Sequence, residues 1–231
     1  MKLRSMLHSM LRTPPRPGEQ PPRSKHHGLR GWMALELLLH QCEFDSVLDV
    51  GSGAGEHAEI FERKGKTVTC IDFGVSVYYA PKTTARTEII ADYYQHDFKT
   101  QFDLVWACHV LEHQPNANLF LRKLHSDCRE GGWIAITVPP LKHNIVGGHV
   151  SLWNGGLLLY QMVLAGFNCR HASVKQYAYN ISVVVKKQTI HDLPPLHYDK
   201  GDVERLRDFF PDALTEGFDG NISELNWPMH T

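Results

Sequence analysis

Three glycines at alternate positions, Gly51, Gly53 and Gly55, mark the best candidate for a ligand site in the sequence. They follow the mainly apolar stretch 46–50, which is typical of a strand buried on both faces. Because glycine has no Cβ atom, a ligand can approach the backbone of such a turn closely. A helix predicted from Glu56 onward would direct free N–H groups and its positive dipole end at the turn. The stretch therefore predicts a site for a small ligand with an anionic group.

The residues around this turn narrow the choice of ligand. A dinucleotide-binding turn has the pattern Gly-x-Gly-x-x-Gly, and Glu56 stands where that pattern requires its third glycine. Asp49 lies just before the turn, where a carboxylate would repel a pyrophosphate but suits an ammonium group. S-adenosylmethionine carries an ammonium, a sulfonium and a carboxylate, so it fits this combination better than a dinucleotide does.

A second group with chemical potential is His109-Val-Leu-Glu112-His113, which matches the inverted zinc-peptidase pattern His-x-x-Glu-His. On a helix, His109 and His113 would share a face and could bind a metal ion. No clear third ligand follows in the sequence, and short motifs of this kind often match by chance. We therefore expect no metal site, and we keep a metal-dependent hydrolase acting through His109, Glu112 and His113 as an alternative.

Strands and helices alternate along the chain, which predicts a parallel sheet. Helices are predicted at 31–41, 56–64, 117–128, 157–164 and 203–210, and strands at 46–50, 67–71, 87–91, 102–107 and 133–138. Two further strands, 167–176 and 180–187, are joined by a short turn and predict an antiparallel hairpin. The carboxyl ends of parallel strands meet at one edge of a sheet, where ligands bind, and the glycine turn and His109 would both lie there.

In four segments the chain resembles the class I S-adenosylmethionine-dependent methyltransferases. The segments are Val-Leu-Asp-Val-Gly-Ser-Gly-Ala-Gly at 47–55, Cys-Ile-Asp at 70–72, Phe-Asp-Leu-Val-Trp-Ala-Cys-His-Val-Leu-Glu-His at 102–113, and Gly-Gly-Trp-Ile-Ala-Ile-Thr-Val-Pro at 131–139. The resemblance implies a Rossmann-like α/β fold: a seven-stranded sheet of order 3-2-1-4-5-7-6, with strand 7 antiparallel and helices on both faces. It also implies S-adenosylmethionine as the methyl donor. More weakly, the chain is similar to methyltransferases of bacterial glycan pathways.

The resemblance also implies roles for individual residues at the donor site. The backbone of the glycine turn would cradle the methionine part, and Asp49 would anchor its ammonium group, directly or through water. A carboxylate at Asp72 could accept hydrogen bonds from both ribose hydroxyls. Asp92 would hold the adenine amino group, with Asp97 as the second choice. The cofactor-binding residues implied in this way are Asp49, Gly51, Ser52, Gly53, Gly55, Asp72, Phe73, Asp92 and Cys108.

Methyl transfer from a sulfonium depends mainly on alignment of the acceptor, the methyl group and the sulfur, and such positioning is worth up to about 7–11 kcal/mol. A hydroxyl acceptor also benefits from a general base, by roughly 10²–10⁴-fold. The candidate bases are His109, His113, His143 and His149, and we favour His109 and His149. His149 belongs to the loop 141–156, which follows the fifth strand.

The acceptor must be recognised by the parts of the chain that the family pattern does not cover, the loop 141–156 and the tail 188–231. Aromatic side chains beside amides suit a polyhydroxylated molecule, and these are Trp153, Asn154, Tyr160, Tyr177, Tyr179 and Asn180. The sequence therefore predicts O-methylation of a sugar or another hydroxylated small molecule. The alternatives are the metal-dependent hydrolase and a catalytically silent module that binds S-adenosylmethionine.

Composition and charge limit the other functional classes that the sequence allows. The 231 residues carry a net charge of −1, and no basic stripe interleaved with aromatics suggests a nucleic-acid partner. No apolar stretch is long enough for a membrane span, and the five scattered cysteines suit buried thiols, so we expect a cytoplasmic protein. Three regions are predicted: a basic, proline-rich arm at 1–28, a methyltransferase domain at 29–187 and an acidic extension at 188–231.

Overall fold

The computed structural model describes residues 24–80 and 86–228, so the predicted arm at 1–28 lies mostly outside the described residues. The chain forms an eight-stranded sheet of order β3-β2-β1-β4-β5-β7-β6-β8. The strands are β1 (Ser46–Val50), β2 (Thr67–Asp72), β3 (Thr87–Ile90), β4 (Phe102–Cys108), β5 (Cys128–Val138), β6 (Ser173–Tyr177), β7 (Asn180–Lys186) and β8 (Glu224–Leu225). The helices are α1 (Trp32–Gln41), α2 (Glu56–Arg63), α3 (Ala117–Asp127), α4 (Gly155–Leu164) and α5 (Asp202–Arg205).

The pairing of the strands confirms the predicted topology. Strands β1 to β5 pair parallel to one another in the order β3-β2-β1-β4-β5, and β7 pairs antiparallel to both β5 and β6. The predicted order 3-2-1-4-5-7-6 is therefore present. The eighth strand, β8, was not predicted: it is two residues long and pairs antiparallel with β6.

Alternating side chains of the central strands pack on opposite faces of the sheet. On β4, Trp106 belongs to the core beneath α1 and α2, whereas Val105 belongs to the core beneath α3 and α4. Both side chains are fully buried, as expected for a strand covered by helices on each face. This arrangement holds the carboxyl ends of β1, β2 and β4 rigidly at one edge.

The predicted boundaries differ from the structure in two informative places. β5 begins at Cys128 instead of residue 133, and Gly132 within it lies so close to β4 that a Cβ atom would be 2.8 Å from the Asp103 carbonyl oxygen. α4 begins at Gly155 because the side chain of Asn154 accepts a hydrogen bond from the N–H of Leu157 at 2.8 Å.

Residues of the acidic extension pack into the same cores as the sheet. Leu206 and Phe210 are fully buried against the α3–α4 face, and Trp227 reaches the core on the α1–α2 face. The helix predicted at 203–210 is instead the short α5 followed by a 3₁₀ turn, Arg207–Phe209. Among the described residues, none of the helices combines the length and apolar character that crossing a membrane requires.

Candidate active site

The candidate site lies where β1, β2 and β4 end together. Val50, the last residue of β1, pairs with Ile71 on β2 and with Ala107 on β4. The N–H of Gly51 continues this pairing by donating to the Ile71 carbonyl at 2.8 Å. The glycine turn, Asp72 and Cys108 therefore follow three neighbouring strand ends.

The glycine turn has a backbone that only glycine adopts easily. Gly51, Gly53 and Gly55 have φ angles of 69°, 53° and 70°, in the left-handed region. A Cβ atom on Gly51 would lie 2.4 Å from Cγ2 of Val110, so this glycine lets the segment after β4 pack onto the turn. A Cβ atom on Gly53 would meet nothing closer than 3.5 Å within the described part of the chain. The turn is thus packed on one side and open on the other.

Asp72 joins the turn to the end of β2. Its Oδ2 accepts the N–H of Gly53 at 3.0 Å, and its Oδ1 accepts the N–H of Gly74 at 2.8 Å. The carboxylate lies on the wall of a cleft of about 250 Å³ that Ser52, Gly53 and Gly55 also line. The ring of the next residue, Phe73, is 55% exposed. An acid and an open aromatic face beside a glycine cradle fit the ribose and adenine of S-adenosylmethionine.

Two acids follow β3, and they differ in their surroundings. Ile90 pairs with Asp72, so Asp92 lies near the same sheet edge, where its carboxylate accepts hydrogen bonds from the N–H of Tyr94 and the side chain of Gln95. Asp97 is exposed and pairs with Lys99.

Asp49 lies beneath the turn and is 2% exposed. Its Oδ2 has no hydrogen-bond partner among the residues that the structure describes. Burial raises its pKa to about 7; the guanidinium of Arg86 opposes this rise, and the carboxylate of Asp72 adds to it. A buried carboxylate oxygen without a partner is what an ammonium-bearing ligand would stabilise.

Arg86 is a site residue that sequence reasoning missed. Its side chain is fully buried, and Nη1 donates to the carbonyl oxygen of Gly55 at 3.1 Å. The guanidinium also lies 3.4 Å from a carboxylate oxygen of Glu62 on α2 and 3.7 Å from one of Glu88 on β3. Arg86 therefore ties the glycine turn to two neighbouring elements. It stands in the poorly patterned stretch before β3, where no motif indicated a role.

Three of the predicted histidines converge on Glu112. His109 has a φ of 57° and places Nδ1 3.2 Å from Oε1 of Glu112 and Nε2 3.0 Å from Oδ1 of Asn180. His113 places Nε2 3.9 Å from the same Glu112 oxygen, and its ring centroid lies 4.9 Å from that of His149. We call these four residues the histidine cluster.

The backbone of the cluster differs from the helix on which His109 and His113 would share a face. Only Leu111–His113 forms a helical turn, of the 3₁₀ type, and His109 precedes it in the left-handed conformation. His149 reaches the cluster from the loop after β5, whereas His143 lies exposed on that loop.

Cys108 ends β4 beside the cluster. Burial raises the pKa of its thiol well above the usual value, and Asp49 and Glu112 add to the rise. The thiol is therefore neutral near pH 7 and adds no charge beside Glu112.

A second cleft, of about 340 Å³, lies on the far side of the cluster and is lined by His149, Trp153, Lys142 and Tyr179, among others. The ring of Tyr179 has Lys142 at 4.3 Å and Arg30 at 4.7 Å from its centroid. Of the aromatic and amide residues predicted for the acceptor, several have structural contacts instead. Trp153 is buried, Asn154 caps α4, and Asn180 accepts the N–H of Gly31.

Comparison with known proteins agrees with this geometry. Residues 48–136 match the family model described as "Methyltransferase domain". The ubiquinone biosynthesis O-methyltransferases of Pseudomonas paraeruginosa and Paramagnetospirillum magneticum are 31% and 35% identical over 104 and 103 residues, which are 40% and 42% of this chain. The matched part spans about two fifths of the length of these relatives, 43% and 41%.

Solved structures show the same fold at low sequence identity. The 1,6-didemethyltoxoflavin-N1-methyltransferase of Burkholderia thailandensis, with bound S-adenosylhomocysteine, has a TM-score of 0.55 at 17% identity and covers 68% of this chain and 77% of its own. The sugar N-methyltransferase KedS8 of Streptoalloteichus has a TM-score of 0.54 at 13% identity and covers 77% of this chain and 98% of its own. Residues 48–136 thus match a methyltransferase domain, and the chain shares the fold of solved methyltransferases, one of them with S-adenosylhomocysteine bound.

Proposed function

We propose that the chain transfers the methyl group of S-adenosylmethionine to a hydroxyl oxygen of a small molecule, a sugar or another hydroxylated metabolite. The observation that carries this proposal is that the glycine cleft and the histidine cluster meet: Val110 packs on Gly51, and His109 and Glu112 flank it. In the transfer, a carbon–oxygen bond forms as the carbon–sulfur bond breaks, and the sulfur leaves as a neutral thioether. The hydroxyl proton must be removed at the same site.

The cofactor would lie in the cleft of the glycine turn. The backbone at Gly51, Ser52, Gly53 and Gly55 would hold its methionine part, and Asp72 would accept hydrogen bonds from the ribose. Asp49 does not line this cleft, so its charge would reach the ammonium group through an intervening water. The exposed ring of Phe73 would lie against the adenine, Asp92 would accept its amino group, and the neutral thiol of Cys108 would face the sulfonium side.

The histidine cluster would assist removal of the proton. The two ring nitrogens of His109 face oxygen atoms of Glu112 and Asn180, and Nδ1 of His113 donates a hydrogen bond to the carbonyl oxygen of Gly148. His149 is half-buried and lines the second cleft. Burial lowers its pKa; the carboxylate of Glu112 opposes this decrease, and His113 adds to it. An imidazole that belongs to the cluster and lines the second cleft supports the cluster as the place where the hydroxyl loses its proton.

The second cleft supports a small-molecule acceptor. It lies on the loop after β5, outside the residues that match the family model, and it combines the aromatic ring of Tyr179 with the ammonium of Lys142. The curated relatives carry the name O-methyltransferase, which supports oxygen as the acceptor atom.

A methyl-transfer assay tests the proposal. The purified chain and S-adenosylmethionine are combined with sugars, nucleotide sugars, quinone precursors and small phenols, and release of S-adenosylhomocysteine is measured. We expect turnover with at least one hydroxylated acceptor, a raised KM for the donor in Asp72→Asn, and no change in Asp97→Asn, the matched control outside the cleft. Thermal stabilisation by S-adenosylhomocysteine without turnover on any acceptor would support the silent binding module instead.

A further inference from the structure

We propose that Glu112, His113 and His149 bind a divalent transition-metal ion, with Zn²⁺ as the best fit, beside the acceptor cleft. The sequence predicted no metal site because it offered no third ligand for His-x-x-Glu-His. The folded chain supplies that ligand from another loop. The role of the ion in catalysis rests on the proposed function, whereas its binding does not.

The first observation is the state of Glu112. Its side chain is 0% exposed, and neither carboxylate oxygen has a hydrogen-bond partner within residues 24–80 and 86–228. The nearest cationic candidates are His109 Nδ1 at 3.2 Å and His113 Nε2 at 3.9 Å. A buried carboxylate without hydrogen bonds is strongly unfavourable unless a positive charge compensates it. Both histidine nitrogens lie at Oε1, so Oε2, which has no hydrogen-bond partner among the described residues, is the oxygen that a bound cation would compensate.

The second observation is the orientation of His113. Its Nδ1 lies 2.8 Å from the carbonyl oxygen of Gly148, which can only accept a hydrogen bond, so Nδ1 carries a proton. The other nitrogen, Nε2, faces Glu112. A ring held by a backbone carbonyl on one nitrogen and presenting the other to an anionic pocket is the usual arrangement of a metal-ligating histidine.

The third observation is the convergence of three donors. Ligand atoms of Glu112, His113 and His149 all lie within 4.8 Å of one another. Zinc–nitrogen and zinc–oxygen bonds of about 2.0–2.2 Å place the ligand atoms of a tetrahedral site about 3.3–3.6 Å apart, so the histidine rings would have to move toward Glu112 when the ion binds. Two histidines and a glutamate are a common set for Zn²⁺ with a coordination position left open.

The open position would face the acceptor. Glu112 closes the buried side of the cluster, whereas His149 lines the 340 Å³ cleft. A hydroxyl oxygen of the acceptor that binds the ion there would lose its proton to solvent more readily, because the cation stabilises the alkoxide. That oxygen then forms the bond to the methyl carbon as the carbon–sulfur bond breaks. In this arrangement His113 and His149 act as ligands, and no protein base is required.

Metal binding is tested on the full chain without a histidine tag. The protein is treated with EDTA, dialysed, and titrated with ZnCl₂ by calorimetry; CoCl₂ is added separately and its visible absorption recorded. We expect about one Zn²⁺ per chain and Co²⁺ bands of a low-coordinate site. His149→Ala should weaken Zn²⁺ binding at least tenfold, and the matched control His143→Ala, an exposed histidine on the same loop, should bind as the parent does.

The outcomes separate the metal site from the proposed function. No stoichiometric Zn²⁺ binding, or equal binding by His149→Ala and His143→Ala, overturns the metal site, even where methyl transfer is observed. Stoichiometric binding that is lost in His149→Ala supports the site, even where every acceptor fails. S-adenosylhomocysteine binding by each variant verifies its fold. Turnover that is unchanged by EDTA in a metal-binding chain overturns the catalytic role of the ion.

Discussion

Replacement of Asp49 by asparagine should stabilise the protein and weaken its hold on the cofactor. The pKa of this carboxyl rises from 3.8 to about 7 on folding, chiefly because it is buried. At pH values between 3.8 and about 7, the Asp49 carboxyl is ionised in the unfolded chain and protonated in the folded chain, so the free energy of unfolding falls as the pH rises. At 1.36 kcal/mol per pH unit, the loss is about 4 kcal/mol above pH 7.

Asparagine removes this ionisation but leaves an amide N–H₂ group where Oδ2 has no partner among the described residues. Such an unpaired group costs about 1–3 kcal/mol, so we expect Asp49→Asn to gain about 1–3 kcal/mol at pH 8. At pH 5 most of the ionisation penalty is absent from the parent protein, and we expect a gain close to zero. Urea unfolding followed by tryptophan fluorescence at both pH values measures the difference.

The same variant should bind S-adenosylhomocysteine about 10- to 100-fold more weakly, because the water that would bridge Asp49 to the ammonium group loses a charged acceptor, and a hydrogen bond to a charged group contributes about 1.5–3 kcal/mol. Asp103→Asn is the matched control at the opposite end of the sheet. Despite burial, hydrogen bonds from Arg129, Ser46 and Asp45 hold the pKa of Asp103 well below its usual value. Its replacement should therefore destabilise the protein more at pH 8 than at acidic pH. Equal gains for Asp49→Asn at both pH values, or a loss at pH 8, would refute the reasoning.

Three further changes test separate parts of the structure. Gly51→Ala and Gly53→Ala should each lower the free energy of unfolding by about 1–2 kcal/mol because both positions have a left-handed backbone. Gly51→Ala should lower it by about 1–3 kcal/mol more because its Cβ atom meets Val110, whereas Gly53→Ala, whose Cβ atom has space, should mainly weaken cofactor binding in addition; denaturant titration and calorimetry compare the two. Arg86→Met should destabilise the protein by about 3–5 kcal/mol, because it leaves the carboxylate of Glu62 and the carbonyl of Gly55 without their cation. Thermal unfolding measures this effect, and an unchanged Tm would contradict it. Removal of residues 188–231 takes away Phe210 and should expose the core residues that it covers, so we expect unfolding to lose its cooperativity. A truncated chain with a sharp unfolding transition would show that this segment is dispensable.

The sequence predicted the sheet order because the pattern of each strand is local. β1 begins and ends at the predicted residues, and the antiparallel hairpin forms, although β6 begins at Ser173 instead of the predicted residue 167. The parts it missed depend on distant contacts. β8 exists only because β6 offers it an edge, and the extension after residue 187 was separated by composition although its apolar residues fill the cores of the sheet.

The site divides in the same way. By itself the sequence predicted the residues of the proposed donor side, because Asp49, the glycine turn and Asp72 stand at strand ends and turns that are recognised within about 25 residues. Only the tertiary structure brought together the residues of the proposed acceptor side. Glu112 and His149 stand 37 positions apart and meet because the loop after β5 folds back onto the end of β4, where burial removes the water that would otherwise stabilise the carboxylate. The spacing of these residues along the chain does not predict this contact.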